Sequence, residues 1–147
     1  MTSLALWLLF FAAPTNAFAP LTVYDGNWLM KQGADKLTNH CHGYDAFYTC
    51  EQVLNGKPGA LLVFVTTDKS GTYRSQVILP DGKPDGSSAL TIDGNHWTFL
   101  STDDAGKPNF RVENYFKDRD HIHYEQYKAD AAGAWTKTGE GDEVRVP

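Results

Sequence analysis

Ala89-Leu90-Thr91-Ile92-Asp93-Gly94-Asn95-His96-Trp97-Thr98-Phe99-Leu100 decides the reading of this chain. Two short runs rich in β-branched and aromatic side chains flank a turn in which Gly94 supplies a backbone conformation that other residues resist. The stretch therefore predicts a tight β-hairpin. The same grammar repeats on either side. Asp68-Lys69-Ser70-Gly71, Asp103-Asp104-Ala105-Gly106 and Asp130-Ala131-Ala132-Gly133 share an Asp-x-x-Gly pattern, in which the carboxylate caps turn N–H groups and Gly takes positive φ. Asn55-Gly56-Lys57-Pro58-Gly59 breaks the chain after Leu54. Between these turns, strand-like runs lie at residues 47–54, 60–66, 72–79, 89–92, 96–100, 110–116, 121–128 and 134–137. With 27–31 and 143–146 added, the count is about ten strands in sequential order. Sequential hairpins make an antiparallel meander, and closing it hides the strand edges. The predicted class is all-β, an up-and-down meander closed into a barrel of about eight to ten strands. Tyr44, Phe47, Tyr48 and Leu54 also suit one short amphipathic helix.

The chain has 147 residues, and the 18 acidic and 13 basic side chains that give a net charge of -5 all follow residue 19. Residues 4–13 (LALWLLFFAA) form an apolar core followed by Pro14 and by small residues at Ala17 and Ala19, the layout of a secretory signal peptide. The reading is residues 1–19 as signal peptide, with cleavage after Ala17 or after Ala19, and residues 20–147 as one β-barrel domain. Cleavage after Ala19 leaves Pro20 at the new terminus, which signal peptidases handle badly. The apolar run is too short to span a bilayer, and no second such run follows, so stable membrane insertion is not expected. A secreted or periplasmic location follows. With no basic run, a nucleic-acid partner is not expected either.

Cys41 and Cys50 are the only cysteines. In an oxidising compartment an even count favours one disulfide, which would remove about 2 to 3 kcal/mol of unfolded-state entropy. His40-Cys41-His42 also places three potential metal ligands in a row, but adjacent strand residues point to opposite faces and cannot all close on one ion.

Gly26-Asn27-Trp28, on what should be the first strand, resembles the Gly-x-Trp signature of the lipocalin and calycin barrels. Arg145 stands on what should be the last strand. In that family a basic side chain from the last strand packs across the Trp at the closed end. The resemblance thus implies a Trp28 and Arg145 structural pair, neighbouring first and last strands, and a cavity for a small ligand. The pattern is also similar to small secreted bacterial lipocalin-like domains of unknown function, notably over residues 50–59, 90–98 and 119–125.

For chemistry, residues 121–127 (HIHYEQY) alternate His121, His123, Glu125 and Tyr127 on one face with Ile122, Tyr124 and Gln126 on the other. Two same-face imidazoles and a carboxylate are a legitimate metal set, yet an ordinary solvent-facing strand accounts for them, and no metal or other cofactor is assigned. Pairing with residues 110–116 depends on the loop. A two- or four-residue loop sets Asn114 opposite His123, whereas a three-residue loop sets Glu113 opposite His123 and Arg111 opposite Glu125. Turned inward, His123 with Glu125 or Glu113 would form a catalytic acid–base pair; turned outward, surface ion pairs. Candidate ligand-binding residues are Arg74 and Gln76, with Arg74 as a clamp for a ligand carboxylate, together with Trp97, Phe99, Arg111 and Tyr124. Trp97, Phe99, Phe64 and Trp135 are most simply core. No nucleophile elbow, P-loop, dinucleotide fingerprint or His-Glu-x-x-His appears. The expectation is a binding protein for a small apolar or amphipathic ligand, with residues 80–88 (PDGKPDGSS) as a rim. A small barrel enzyme (lyase, isomerase or hydrolase) and a solid-core interaction module are the alternatives.

Overall fold

The computed structural model describes residues 16–147. The apolar segment at residues 4–13 lies outside them. Ten antiparallel strands follow one another as a meander: β1 Gly26–Gln32, β2 Asp35–Gly43, β3 Tyr48–Leu54, β4 Lys57–Thr66, β5 Thr72–Ile78, β6 Pro84–Asp93, β7 His96–Thr102, β8 Pro108–Phe116, β9 His121–Ala129 and β10 Trp135–Val146. The last strand returns to the first, so the sheet closes into a barrel. At the seam Asn27, Trp28, Leu29 and Met30 pair with Val146, Arg145, Val144 and Glu143.

The turn chemistry accounts for the hairpins. Asp103 Oδ1 accepts from the N–H groups of Ala105 and Lys107 at 3.0 and 2.9 Å, while Gly106 adopts a φ of 77°. Asp130 does the same for Ala134. In the Asp68 turn the work passes to Thr67, whose Oγ1 accepts from Lys69 N. The turn after β3 is tighter than the five-residue break read from sequence. Leu54 pairs directly with Lys57 across Asn55-Gly56, both with positive φ, the geometry of a two-residue hairpin.

Two strands depart from expectation. Residues 35–43 (DKLTNHCHG) form a full strand that the sequence gives little reason to expect, since they are mostly polar. The runs expected at 134–137 and 143–146 are joined in one strand, β10, which begins at Trp135 and in which a bulge at Lys137/Gly139 absorbs the irregularity. The glycines between them are packing devices. A Cβ on Gly141 would sit 2.6 Å from the hydroxyl of the buried Tyr124, and one on Gly139 would sit 3.1 Å from Gln126 Oε1. No helix forms at Tyr44, Phe47, Tyr48 and Leu54; Tyr48–Leu54 is β3.

One end of the barrel is sealed. A 3-10 helix, Ala19–Tyr24, carries Leu21 and Tyr24 into the interior, and Phe18 just before it is equally buried. Trp28, Trp97, Phe116, Tyr73, Leu90 and Ile122 complete this core. Tyr24 packs tilted against Trp28, ring centroids 5.2 Å apart, and meets Trp97 and Phe116 edge-on. Tyr73 donates its hydroxyl to Ala17 O and lies 5.9 Å from the Phe18 ring. Residues 17 and 18 therefore pack as part of the barrel.

Arg145 Cζ lies 4.4 Å over the Trp28 ring. Its guanidinium also donates to the carbonyls of Val23, Asp25 and Arg119, and its Nε to Asp120 Oδ1 at 2.9 Å. One side chain thus ties the last strand to the helix and to the β8–β9 turn. Cys41 and Cys50 are directly opposed on β2 and β3 and form a disulfide.

Candidate functional site: an acid-floored barrel cavity

Above the sealed end the interior is open, with a cavity of about 530 Å³. Its size falls within the range of small-molecule sites. Strand alternation decides what it presents. On β8, Phe110, Val112 and Asn114 face in; on β9, Tyr124 and Gln126; on β5, Ser75 and Val77. Phe64, Leu62, Phe99 and Val112 form apolar walls, and Met30, Leu37, Val77 and Phe110 continue them toward the mouth. Asp85, Gly86 and Ser88 from residues 80–88 also line it, so that stretch is a rim of this cavity.

The floor is polar. Glu143 on β10 is only 4% exposed, and its Oε2 accepts from the Tyr24 hydroxyl at 2.7 Å. Asn39 Nδ2 donates to the same hydroxyl at 3.2 Å and Gln52 Nε2 donates to Asn39 Oδ1 at 3.1 Å. Burial pushes the Glu143 carboxyl above its ordinary range, against the lowering by its hydrogen bonds with Tyr24 and Asn39. Burial likewise raises Tyr24, with the Glu143 charge adding to it. Asn114, 5% exposed, faces the same space with an Oδ1 that has no hydrogen-bond partner. Orphaned buried acceptors are uncommon and call for a ligand, a water or a functional reason.

The residues singled out from sequence divide between the two faces. Phe99 and Tyr124 line the cavity, and Trp97 belongs to the sealed core. Arg74 and Gln76 alternate with the inward Ser75 and Val77 and so lie outside. Gln76 Nε2 donates to the carbonyls of Asp85 and Gly86. The inward Arg clamp is therefore corrected. Arg111 is outside as well, its guanidinium 4.6 Å over Tyr127 and 4.8 Å over Trp135. Trp135 is half-buried on that outer face rather than core.

Glu113, Glu125 and His123 share the outer face too. The pairing follows neither register anticipated from the loop. Tyr115 stands opposite His123 and Glu113 opposite Glu125, because the last pair, Phe116 with Ile122, encloses residues 117–121. Glu113 is held by His96 Nε2 at 2.5 Å, Thr98 Oγ1 at 2.8 Å and Arg111 Nε at 2.8 Å, while His96 stacks on Tyr115. His123 pairs with Asp142 at 2.9 Å. His123, Glu125 and Glu140 converge closely enough to hold an ion. Lys137 Nζ already lies between the two carboxylates, 2.6 Å from Glu125 and 2.5 Å from Glu140. That ammonium, with the Tyr127 hydroxyl, holds the Glu125 carboxyl below its usual range. The cluster is a closed set of surface ion pairs. The His123-centred acid–base site inside the barrel is therefore corrected: all five histidines sit on strand positions that alternate with inward ones or at the β8–β9 turn, and none lines the cavity.

Fold and site together define a class: a closed ten-stranded antiparallel β-barrel with one end plugged and an acid-floored interior cavity. No protein-family model matches the chain, and none of the curated proteins does. Among solved structures it is similar to a protein of unknown function from Bacteroides fragilis, at 6% identity and a TM-score of 0.40, over 86% of this chain and 96% of that one. Among the described residues no helix is long and apolar enough to cross a membrane.

Proposed function

We propose that this chain is an exported binding protein that holds one small amphipathic molecule inside the barrel. The observation that carries the reading is the cavity of about 530 Å³, apolar along its walls and polar at its floor. Such a surface is costly to leave in water and accepts a ligand with a buried body and one oriented polar end. The same volume weighs against the solid-core interaction module. The Trp28–Arg145 packing, under a Gly-x-Trp motif, supports lipocalin-like kinship as a ten-stranded variant. The disulfide fits an oxidising compartment, secreted or periplasmic, and a net charge of -5 speaks against nucleic acid. Export with cleavage after Ala17 would leave Phe18, with its place in the plug, as the first residue; cleavage after Ala19 would discard it.

The test is a fluorescence titration with N-phenyl-1-naphthylamine, a neutral probe that brightens in apolar surroundings. Saturable binding with Kd in the micromolar range, about -8 kcal/mol, is expected. Val112→Trp, which fills the cavity from β8, should abolish it while a far-ultraviolet spectrum stays that of a β-barrel. Equal binding by the filled variant would place the probe on the outside and overturn the reading.

A further inference from the structure

Among the described residues, the two acidic side chains that line the cavity, one Asp and one Glu, have no basic counterpart there. Glu143 forms the floor and Asp85 stands at the rim, and no Lys, Arg or His lines the space between them. Among the described residues no basic side chain pairs with Glu143, whose partners, Tyr24 and Asn39, are both neutral. A buried carboxyl without a counter-charge, pushed by burial toward its neutral form, is unusual in a fold that elsewhere pairs its acids closely, as Lys137 and Arg111 do on the outer face. The second observation is Asn114. It lines the same cavity from β8 with an Oδ1 that has no partner, and what an acceptor lacks is a donor.

From this placement we propose that the cavity takes an amphipathic cation: a ligand whose protonated amine, or equivalent N–H-rich head, seats on Glu143 and Asn114 while its apolar body lies along Phe64, Phe99 and Val112. The inference rests on the ligand-binding reading above and narrows it. An anionic head, as of a fatty acid, meets the acidic Glu143 and the unpartnered Asn114 acceptor and brings no donor to either. The Tyr24 hydroxyl, already committed to Glu143 Oε2, offers it no donor. A neutral alcohol can supply one hydrogen bond but brings no charge to stabilise an ionised Glu143. The ammonium supplies several donors and the missing charge at once.

Calorimetric titration of the folded protein with decylamine, decanol and decanoate, all below micelle formation, tests this with one chain length and three heads. The amine should bind about ten- to a hundredfold more tightly than the alcohol, and the carboxylate more weakly than either. Glu143→Gln keeps an acceptor for Tyr24 and should bring amine and alcohol to within about threefold. Alcohol binding as tight as amine binding, or tightest binding by decanoate, would overturn the cation assignment while leaving the cavity as a ligand site. An amine preference that survives Glu143→Gln would overturn the role of that residue. If none of the three binds, the ligand-binding reading fails, and this inference with it. Should the variant not fold, the ranking of the three heads on the unaltered chain decides the matter alone.

Discussion

Deletion of residues 143–147 is expected to abolish cooperative folding. The five residues look dispensable, since terminal segments usually fray at little cost. Here they carry all four pairs of the β1–β10 seam and both side chains that anchor it, Glu143 inside and Arg145 over Trp28. Without them β1 and the remaining part of β10 become free edges of an open sheet, and the plug loses the guanidinium that holds Val23 and Asp25. Far-ultraviolet circular dichroism during heating should show no sigmoidal transition, or one more than about 20 °C below that of the full chain. An unchanged midpoint would mean that the seam contributes nothing.

Trp28→Ala should be the most damaging single substitution, at about 3 to 5 kcal/mol or roughly 10 to 20 °C in melting temperature. The indole is fully buried among Tyr24, Phe116 and the Arg145 guanidinium, and its Nε1 donates to Tyr24 O at 2.9 Å. Its loss opens a cavity where the helix docks. It also removes the donor that fixes Tyr24, the residue beneath Glu143. Arg145→Ala leaves the indole in place and should cost less, about 2 kcal/mol, and Arg145→Lys cannot restore the fork that reaches several carbonyls. Chemical denaturation of the three variants checks the ranking, and a Trp28→Ala effect below that of Arg145→Ala would contradict it.

The barrel was legible because hairpins announce themselves locally. Asp93-Gly94-Asn95 and Asn55-Gly56 need no tertiary partner to turn the chain, and the β-branched runs beside them need none to extend it. What tertiary packing decides was less visible. β2 carries Asp35, Lys36, Asn39, His40 and His42, polar enough to read as loop, yet it is a strand because Asn39 and Cys41 have inward work to do. β10 contains Gly139 and Gly141, which locally signal a break, but Tyr124 and Gln126 require their missing side chains. One strand overlooked and one split in two left the count at ten for offsetting reasons.

The site was harder still. Asn114 sat in plain view as the one polar member of an otherwise apolar face, Phe110, Val112 and Phe116, and that mismatch was the available signal. Glu143 gave none in the polar run at residues 138–143. Its position on the inner face follows only from the bulge in β10 and the seam register with Met30. The conspicuous residues, His123, Glu125, Arg111 and Arg74, attract notice because they are charged, and charged residues on a two-sided strand belong outside unless something pairs them within. The loop lengths that would have set the β8–β9 register are not readable either, since residues 117–121 all remain outside the ladder.

The central claim is that binding happens within the barrel, between the plug and the rim. Methyl-resolved nuclear magnetic resonance during titration with decylamine tests it most directly, because β4 alone offers Leu62 on the inner face and Leu61, Val63 and Val65 on the outer one. Saturable shifts confined to the inward methyls of Leu37, Leu62, Val77 and Val112 are the result this account predicts. Shifts confined to Leu61, Val63 and Val65 on the outer face of β4, with the inward methyls unmoved, would contradict it.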